Sequence, residues 1–207
     1  MVHLARHWLQ TVQQASAQGD LAAAGADLIR RWAEPHRRYH DVAHLTAVLR
    51  RVDELADAAT DVAAVRLASW FHDAVYDPTA PDSEERSARL SSETLQALHL
   101  DKRRIDEVAR LVRLTRTHDP LPHDSNGAVL CDADLAVLAS TSEDYERYVA
   151  GVRAEYAHLD DAAFQSGRST LLRSLLDRPA LFTTIHGRMA WEVAARTNIR
   201  RELVNYS

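Results

Sequence analysis

The stretch Val62–Pro78, VAAVRLASWFHDAVYDP, decides how the rest of the chain is read. Its first ten residues are apolar apart from Arg66 and Ser69. A helix with so little polar face belongs inside a core. It ends on His72 and Asp73, an imidazole beside a carboxylate. Burying a carboxylate is costly unless a cation or hydrogen bonds offset it. The pair fits a water-capped helix end or two ligands to one ion, and the dipeptide alone leaves both open.

Upstream of this segment, Leu4, Trp8, Val12 and Ala15 share one face of an opening helix that runs to about Gln18. Gly19-Asp20 breaks it, and Asp20 is placed to cap a second helix ending before Pro35. A third helix is expected from about Tyr39–Asp41 to Ala58, with Leu45, Val48, Leu49, Val52 and Leu55 at a 3.6-residue period. His44 shares the face of Val48, Val52 and Leu55 and so points at the core, with His40 one turn before it. Asp61 can cap the central segment itself.

Downstream, Asp82 and Glu85 have the spacing of a capping box opening a fifth helix. Asp101 caps a sixth, whose inner residues Ile105, Val108, Leu111, Val112 and Thr115 carry the face on to His118. The loop Asp119–Gly127 leads into AVLCDADLAVLAS, an apolar segment interrupted by Asp132 and Asp134. Thr141 or Ser142 caps a helix with Tyr145, Tyr148, Val149, Val152 and Tyr156 inward. Further helices are expected over about Asp160–Asp177 and Ala180–Val204, split by Pro179.

Composition agrees with this all-α pattern: among 207 residues there are only 6 Gly and 6 Pro, and no strand-period run or internal repeat. We expect one all-helical domain over residues 1–207, with a core at about 36–140 and additional C-terminal helices at about 141–207. A net charge of −5 argues against a general nucleic-acid surface. No apolar run approaches the ~20 residues of a membrane span, and the N-terminus lacks a signal peptide's apolar core. A single cysteine, Cys131, excludes an internal disulfide and fits a reducing compartment, so a cytoplasmic setting is expected. Oligomeric state is open to a homodimer, and Trp8, Trp32, Trp70 and Trp191 are candidates for core or interface.

The inward-facing anomalies are His40, His44, His72, Asp73, His118, Asp132 and Asp134, drawn from separate helices. Helical bundles build metal sites in this way. Imidazole and carboxylate donors without thiolate suit divalent Mn, Mg, Co, Ni, Zn or Fe. An ion so held lowers the pKa of a bound water and polarises a phosphoryl oxygen.

The ordered set His44…His72-Asp73…Asp134 resembles the H…HD…D signature of the HD-domain metal-dependent phosphohydrolases, an all-helical superfamily. Finer texture resembles one branch of small, uncharacterised HD phosphohydrolases. It is carried by RRYHDVAHL (37–45), WFHDAVYDP (70–78), SEERSA (83–88), LTRTH (114–118) and CDADLAVLA (131–139). YERYVAGVRAEY (145–156), SGRSTLLRSLL (166–176) and ARTN (195–198) extend it over most of the chain.

The resemblance implies a metal-dependent phosphohydrolase acting on a small phosphate ester, with a nucleotide as the default substrate. His72, Asp73 and Asp134 become metal ligands, Asp134 being preferred to Asp132 because Ala133-Asp134-Leu135 resembles the family's ADxL pattern. YHDVAHLTAV (39–48) resembles the YHNxxHAxxV segment of cyclic-nucleotide phosphodiesterases, which makes His44 the remaining ligand and His40 the general acid. Those relatives carry a further His after the HD pair where this chain has Ala74-Val75-Tyr76, which weakens the case for two metals and for cyclic nucleotides. Asp73 and Glu84 are further candidates for catalysis, although the capping box accounts for Glu85.

For phosphate, the candidates are His118 with Arg153 and Arg168, whose surroundings are family-like; Arg37, Arg38 and Arg116 lie near the motifs too. Two alternatives remain: a non-catalytic metal- or nucleotide-binding signalling module, and a di-iron HD-fold oxygenase with His118 and Asp132 as spare ligands.

Overall fold

The computed structural model describes residues 2–206. Among them run eleven helices: α1 (Val2–Gln14), α2 (Leu21–Trp32), α3 (Val42–Glu54), α4 (Val62–Phe71), α5 (Ser83–Ala97), α6 (Lys102–Leu114), α7 (Ser125–Leu135), α8 (Ser142–Glu155), α9 (Asp161–Leu176), α10 (Ile185–Ala190) and α11 (Glu192–Val204). No strand occurs among the described residues, and the fold is all-α as expected.

The centre is α4. Eight of its ten residues are buried, and it packs against α1, α3, α5, α6 and α7. One cluster of buried apolar side chains extends from Leu4 to Leu203. All four tryptophans lie within it, Trp32 and Trp70 fully buried and Trp191 at 7 % exposure, so they belong to the core. No helix of the described residues is long and apolar enough to cross a membrane.

Side-chain caps set most helix starts. Asp20, Asp61, Asp101, Thr141 and Asp160 each accept a backbone N–H from the first turn that follows. The expected capping box at α5 does not form. Asp82 makes no capping bond, and Glu85 turns instead to Arg89 and Arg113, the latter at 2.6 Å, and so ties α5 to α6.

Several boundaries differ from expectation. The first helix stops at Gln14 rather than near Gln18, where Ser16 and Gly19 take positive φ. The third stops at Glu54, followed by a 3₁₀ turn at Ala56–Ala58. The segment 180–204 is not one helix. The N–H groups of Leu181 and Phe182 bind Glu192, and those of Thr183 and Thr184 bind Asp132, which keeps these four residues out of helical register.

The C-terminal end of α4 carries the His-Asp pair and is held by two long-range contacts. Trp32 Nε1 donates to the Trp70 carbonyl at 3.0 Å. Arg37, its side chain fully buried, donates to the carbonyls of His40 and Asp73 at 2.8 Å and of Ala74 at 3.3 Å. Helix-end carbonyls need such partners. Arg37 is therefore a clamp between the two histidine-bearing segments.

Candidate metal centre

His44 reaches the centre from the buried face of α3, His72 from the end of α4 and Asp134 from the last turn of α7. These three form a group whose donor atoms all lie within 4.8 Å of one another and could hold a metal ion. His44 Nε2 lies 3.2 Å from His72 Nε2 and 3.1 Å from Asp134 Oδ1. His72 Nε2 lies 3.6 Å from Asp134 Oδ1 and 3.4 Å from Asp73 Oδ2. Ligands bound at about 2.1 Å to one octahedral or tetrahedral ion stand about 3.0–3.4 Å apart. The spacings among His44, His72 and Asp134 are close enough for one ion to be shared, His72–Asp134 being the widest at 3.6 Å. Asp73, expected as a further ligand, stands beside His72 but is not part of that three-residue group.

The chemistry of the donors fits a cation as well. His72 Nδ1 donates to the Ser69 carbonyl at 2.8 Å, which leaves Nε2 as the ligating nitrogen. Two imidazole nitrogens facing each other at 3.2 Å repel unless a proton or an ion lies between them. The cluster calls for positive charge. Burial opposes a charge on His72, but the carboxylates of Asp73 and Asp134 push it up to about 9. Asp134, though buried, is held well below the usual carboxylate range by the charge of His72 and by hydrogen bonds from His118, His44 and His72. Burial lowers His44.

Asp134 faces two ways. Its Oδ2 accepts from His118 Nε2 at 2.7 Å. His118 sits in the left-handed region (φ 47°), where a non-glycine residue is uncommon. Arg178 holds that turn by donating to the carbonyls of His118 and Thr117.

Beside the centre stands His40. Its Nδ1 donates to Glu155 Oε2 at 2.7 Å, and the ring stacks on Tyr76 at 4.3 Å. Glu155 is completely buried. Its Oε1 accepts the backbone N–H groups of Arg38, Tyr39 and His40 at 2.8–2.9 Å, and Tyr76 Oη donates to Oε2. Against the penalty of burial, the His40 hydrogen bond and charge and these N–H groups lower its carboxyl to about 2. Burial would lower His40, but the Glu155 bond and the charges of Asp73, Glu155 and Asp134 raise it.

Of these groups His40, His118 and Asp134 line a cavity of about 490 Å³, together with Tyr148, Tyr156, Phe164 and Leu171. No family model, curated protein or solved structure matches the chain. What the site can do follows from its own geometry.

Some expected residues are placed otherwise. Asp132 is not an alternative ligand. Two residues from Asp134 on a helix, it projects from the other side and accepts from Thr183 and Thr184, including Thr184 Oγ1 at 2.7 Å. Arg153 does not line the cavity of His40 and Asp134; it is paired with Asp161 and donates to the carbonyls of Tyr156 and Leu159. Arg168 does line it, but its guanidinium is held by Glu202 and Tyr148 Oη. The side chains of Glu84 and Arg116 line it with no hydrogen bond or ion pair among the described residues. Residue-by-residue reading overlooked Glu155 and Arg178. For Glu155 a signal existed: it continues the inward series Tyr145, Tyr148, Val152 on α8.

Proposed function

We propose that the protein is a metal-dependent phosphohydrolase of HD type that cleaves a small phosphate ester. One observation carries it: His44, His72 and Asp134 form a group that one ion could share, and Asp134 lines a cavity also lined by a histidine anchored to a buried carboxylate. Asp73 completes the ligand set at the His72 edge. A divalent ion held there supplies polarisation of a phosphoryl oxygen and a lowered pKa for a water.

The chain's own residues supply the rest. His40 hands a proton to the leaving oxygen, and Glu155 keeps its Nδ1 occupied so that Nε2 is the atom facing the substrate. His118 fixes the second oxygen of Asp134, and Arg116 offers an unengaged guanidinium to the phosphate. A nucleotide remains the default substrate by resemblance alone. A cytoplasmic setting belongs to the same proposal, supported by the lone, buried Cys131.

The decisive experiment uses metal-stripped protein, with Mn, Mg, Co, Ni, Zn or Fe restored, against a panel of nucleotides and aryl phosphates. Turnover that returns with metal and disappears in Asp73→Ala is the expected result. Stoichiometric metal with no turnover on any ester would favour a non-catalytic module or an oxygenase. Absence of metal binding would remove the site altogether.

A further inference from the structure

One helix shapes the cavity in a way that metal binding does not explain. Ala163, Gly167, Leu171 and Leu175, each four residues apart on α9, all line it. Leu171 is 50 % exposed, an apolar side chain turned to the cavity rather than packed in the core. Gly167 lies mid-helix, where glycine weakens a helix relative to alanine. Packing does not require it, since a Cβ built there meets nothing within 4 Å. What the missing side chain leaves is room. The side chains of Tyr148, Tyr156 and Phe164 line the same cavity.

Charge narrows the occupant. Three arginines line the cavity: Arg168 is ion-paired with Glu202, Arg178 commits two of its N–H groups to the carbonyls of His118 and Thr117, and Arg116 alone has no side-chain partner among the described residues. Glu84, likewise unpaired, faces the same space. One phosphate can be met by Arg116, and a second would find only Arg178, whose donors are already committed to two carbonyls, beside the Glu84 carboxylate. At about 490 Å³ the cavity also lies within the range of about 300–1,000 Å³ typical of organic ligand sites, far more than a bare phosphate fills.

We infer that the α9 wall at Gly167 and Leu171 binds the alcohol half of a phosphate monoester, and that this half is an uncharged, largely apolar or aromatic group. This rests on the phosphohydrolase proposal for its phosphate but not for its apolar site. Two probes separate them. 1-Naphthol, which carries no phosphate, is titrated into metal-free protein and followed by its fluorescence. 1-Naphthyl phosphate and methyl phosphate are compared by kcat/KM in metal-restored protein.

Gly167→Leu fills the space, and Leu171→Asp, at a half-exposed position, sets a charge in the wall. Each is expected to weaken 1-naphthol binding at least tenfold and to shrink the preference for naphthyl over methyl phosphate by a similar factor, chiefly through KM. Naphthol binding that both variants weaken, with no turnover on either ester, would sustain the apolar site and sink the phosphohydrolase. No naphthol binding in the wild type, or equal binding in both variants, would overturn the inference, as would turnover with no preference for the naphthyl ester.

Discussion

Glu155 gathers five donors onto one buried carboxylate, and two consequences follow at the scale of this residue. The first concerns pH. Its carboxyl lies at about 2 in the folded chain, against about 4.3 when unfolded. The unfolded state therefore binds the proton more readily. The stability from this group is complete above the unfolded value and drains away as pH falls through the folded one. At 1.36 kcal/mol per pKa unit it amounts to at most about 3 kcal/mol. Urea unfolding between pH 7 and pH 3 should show wild type losing stability faster than Glu155→Gln, whose amide cannot take up the proton. Parallel curves would mean the carboxyl is not depressed.

The second concerns rate: His40→Ala should lower turnover by about 10²–10⁴-fold, and Glu155→Gln by less, because the ring survives but loses its anchor. A phosphatase assay of both variants with metal restored checks the order. His44, His72 and Asp134 were legible in the sequence as polar residues in apolar helical segments. His40, in the turn before α3, drew its role from the resemblance of YHDVAHLTAV (39–48), as did the preference for Asp134 over Asp132 from that of Ala133-Asp134-Leu135. Glu155 was not singled out: its partner His40 is 115 residues away, and only the packing of α8 against the 36–41 segment joins them.

Elements were legible where local chemistry fixes them and obscure where a distant side chain does. The starts of α2, α4 and α6 follow from Asp20, Asp61 and Asp101, whose carboxylates act within three residues. The irregular turn before α10 could not be foreseen, since Asp132 reaches it from 51 residues upstream. Asp132→Ala would leave two N–H groups and a hydroxyl without their acceptor, at about 1–3 kcal/mol for each donor left buried and unpaired. The expected result is a clear loss of stability on denaturant unfolding with metal stoichiometry intact. Loss of metal instead would return Asp132 to the ligand set.

Two mid-helix glycines give a sharper contrast. At Gly25 of α2 a Cβ would meet Trp8 Cδ1 at 2.3 Å, inside the core. Gly25→Ala should therefore destabilise, the overpacking of about 1–3 kcal/mol exceeding the helix gain. Gly167→Ala meets no atom and should stabilise by about 0.5–1 kcal/mol. Chemical unfolding of both variants checks the opposite signs. Helix propensity by itself predicts a gain at both positions, so a stabilised Gly25→Ala would mean that Trp8 is not packed as described.

At the scale of the whole molecule, three helices converge on one cluster of charge. Three helix ends bring His44, His72 and Asp134 together, with Asp73 adding a further charge, while Arg37 and Trp32 brace the backbone behind them. Without an ion, like-facing imidazole nitrogens and two carboxylates must be reconciled by a proton on His72. An ion that binds only the folded chain stabilises it by mass action, about 2.7 kcal/mol at a hundredfold excess over Kd. For a chain of this size that corresponds to a rise in Tm of roughly 5–10 °C. Thermal unfolding of metal-stripped protein with Mn or Zn restored should show this rise. His72→Ala should abolish it. Asp132→Ala, in contrast, should unfold at a lower temperature and still respond by the full increment, because its carboxylate braces the turn before α10 rather than the centre. If His72→Ala kept the rise, the ion would be binding elsewhere on the surface, and the convergence of α3, α4 and α7 on these side chains would need another cause.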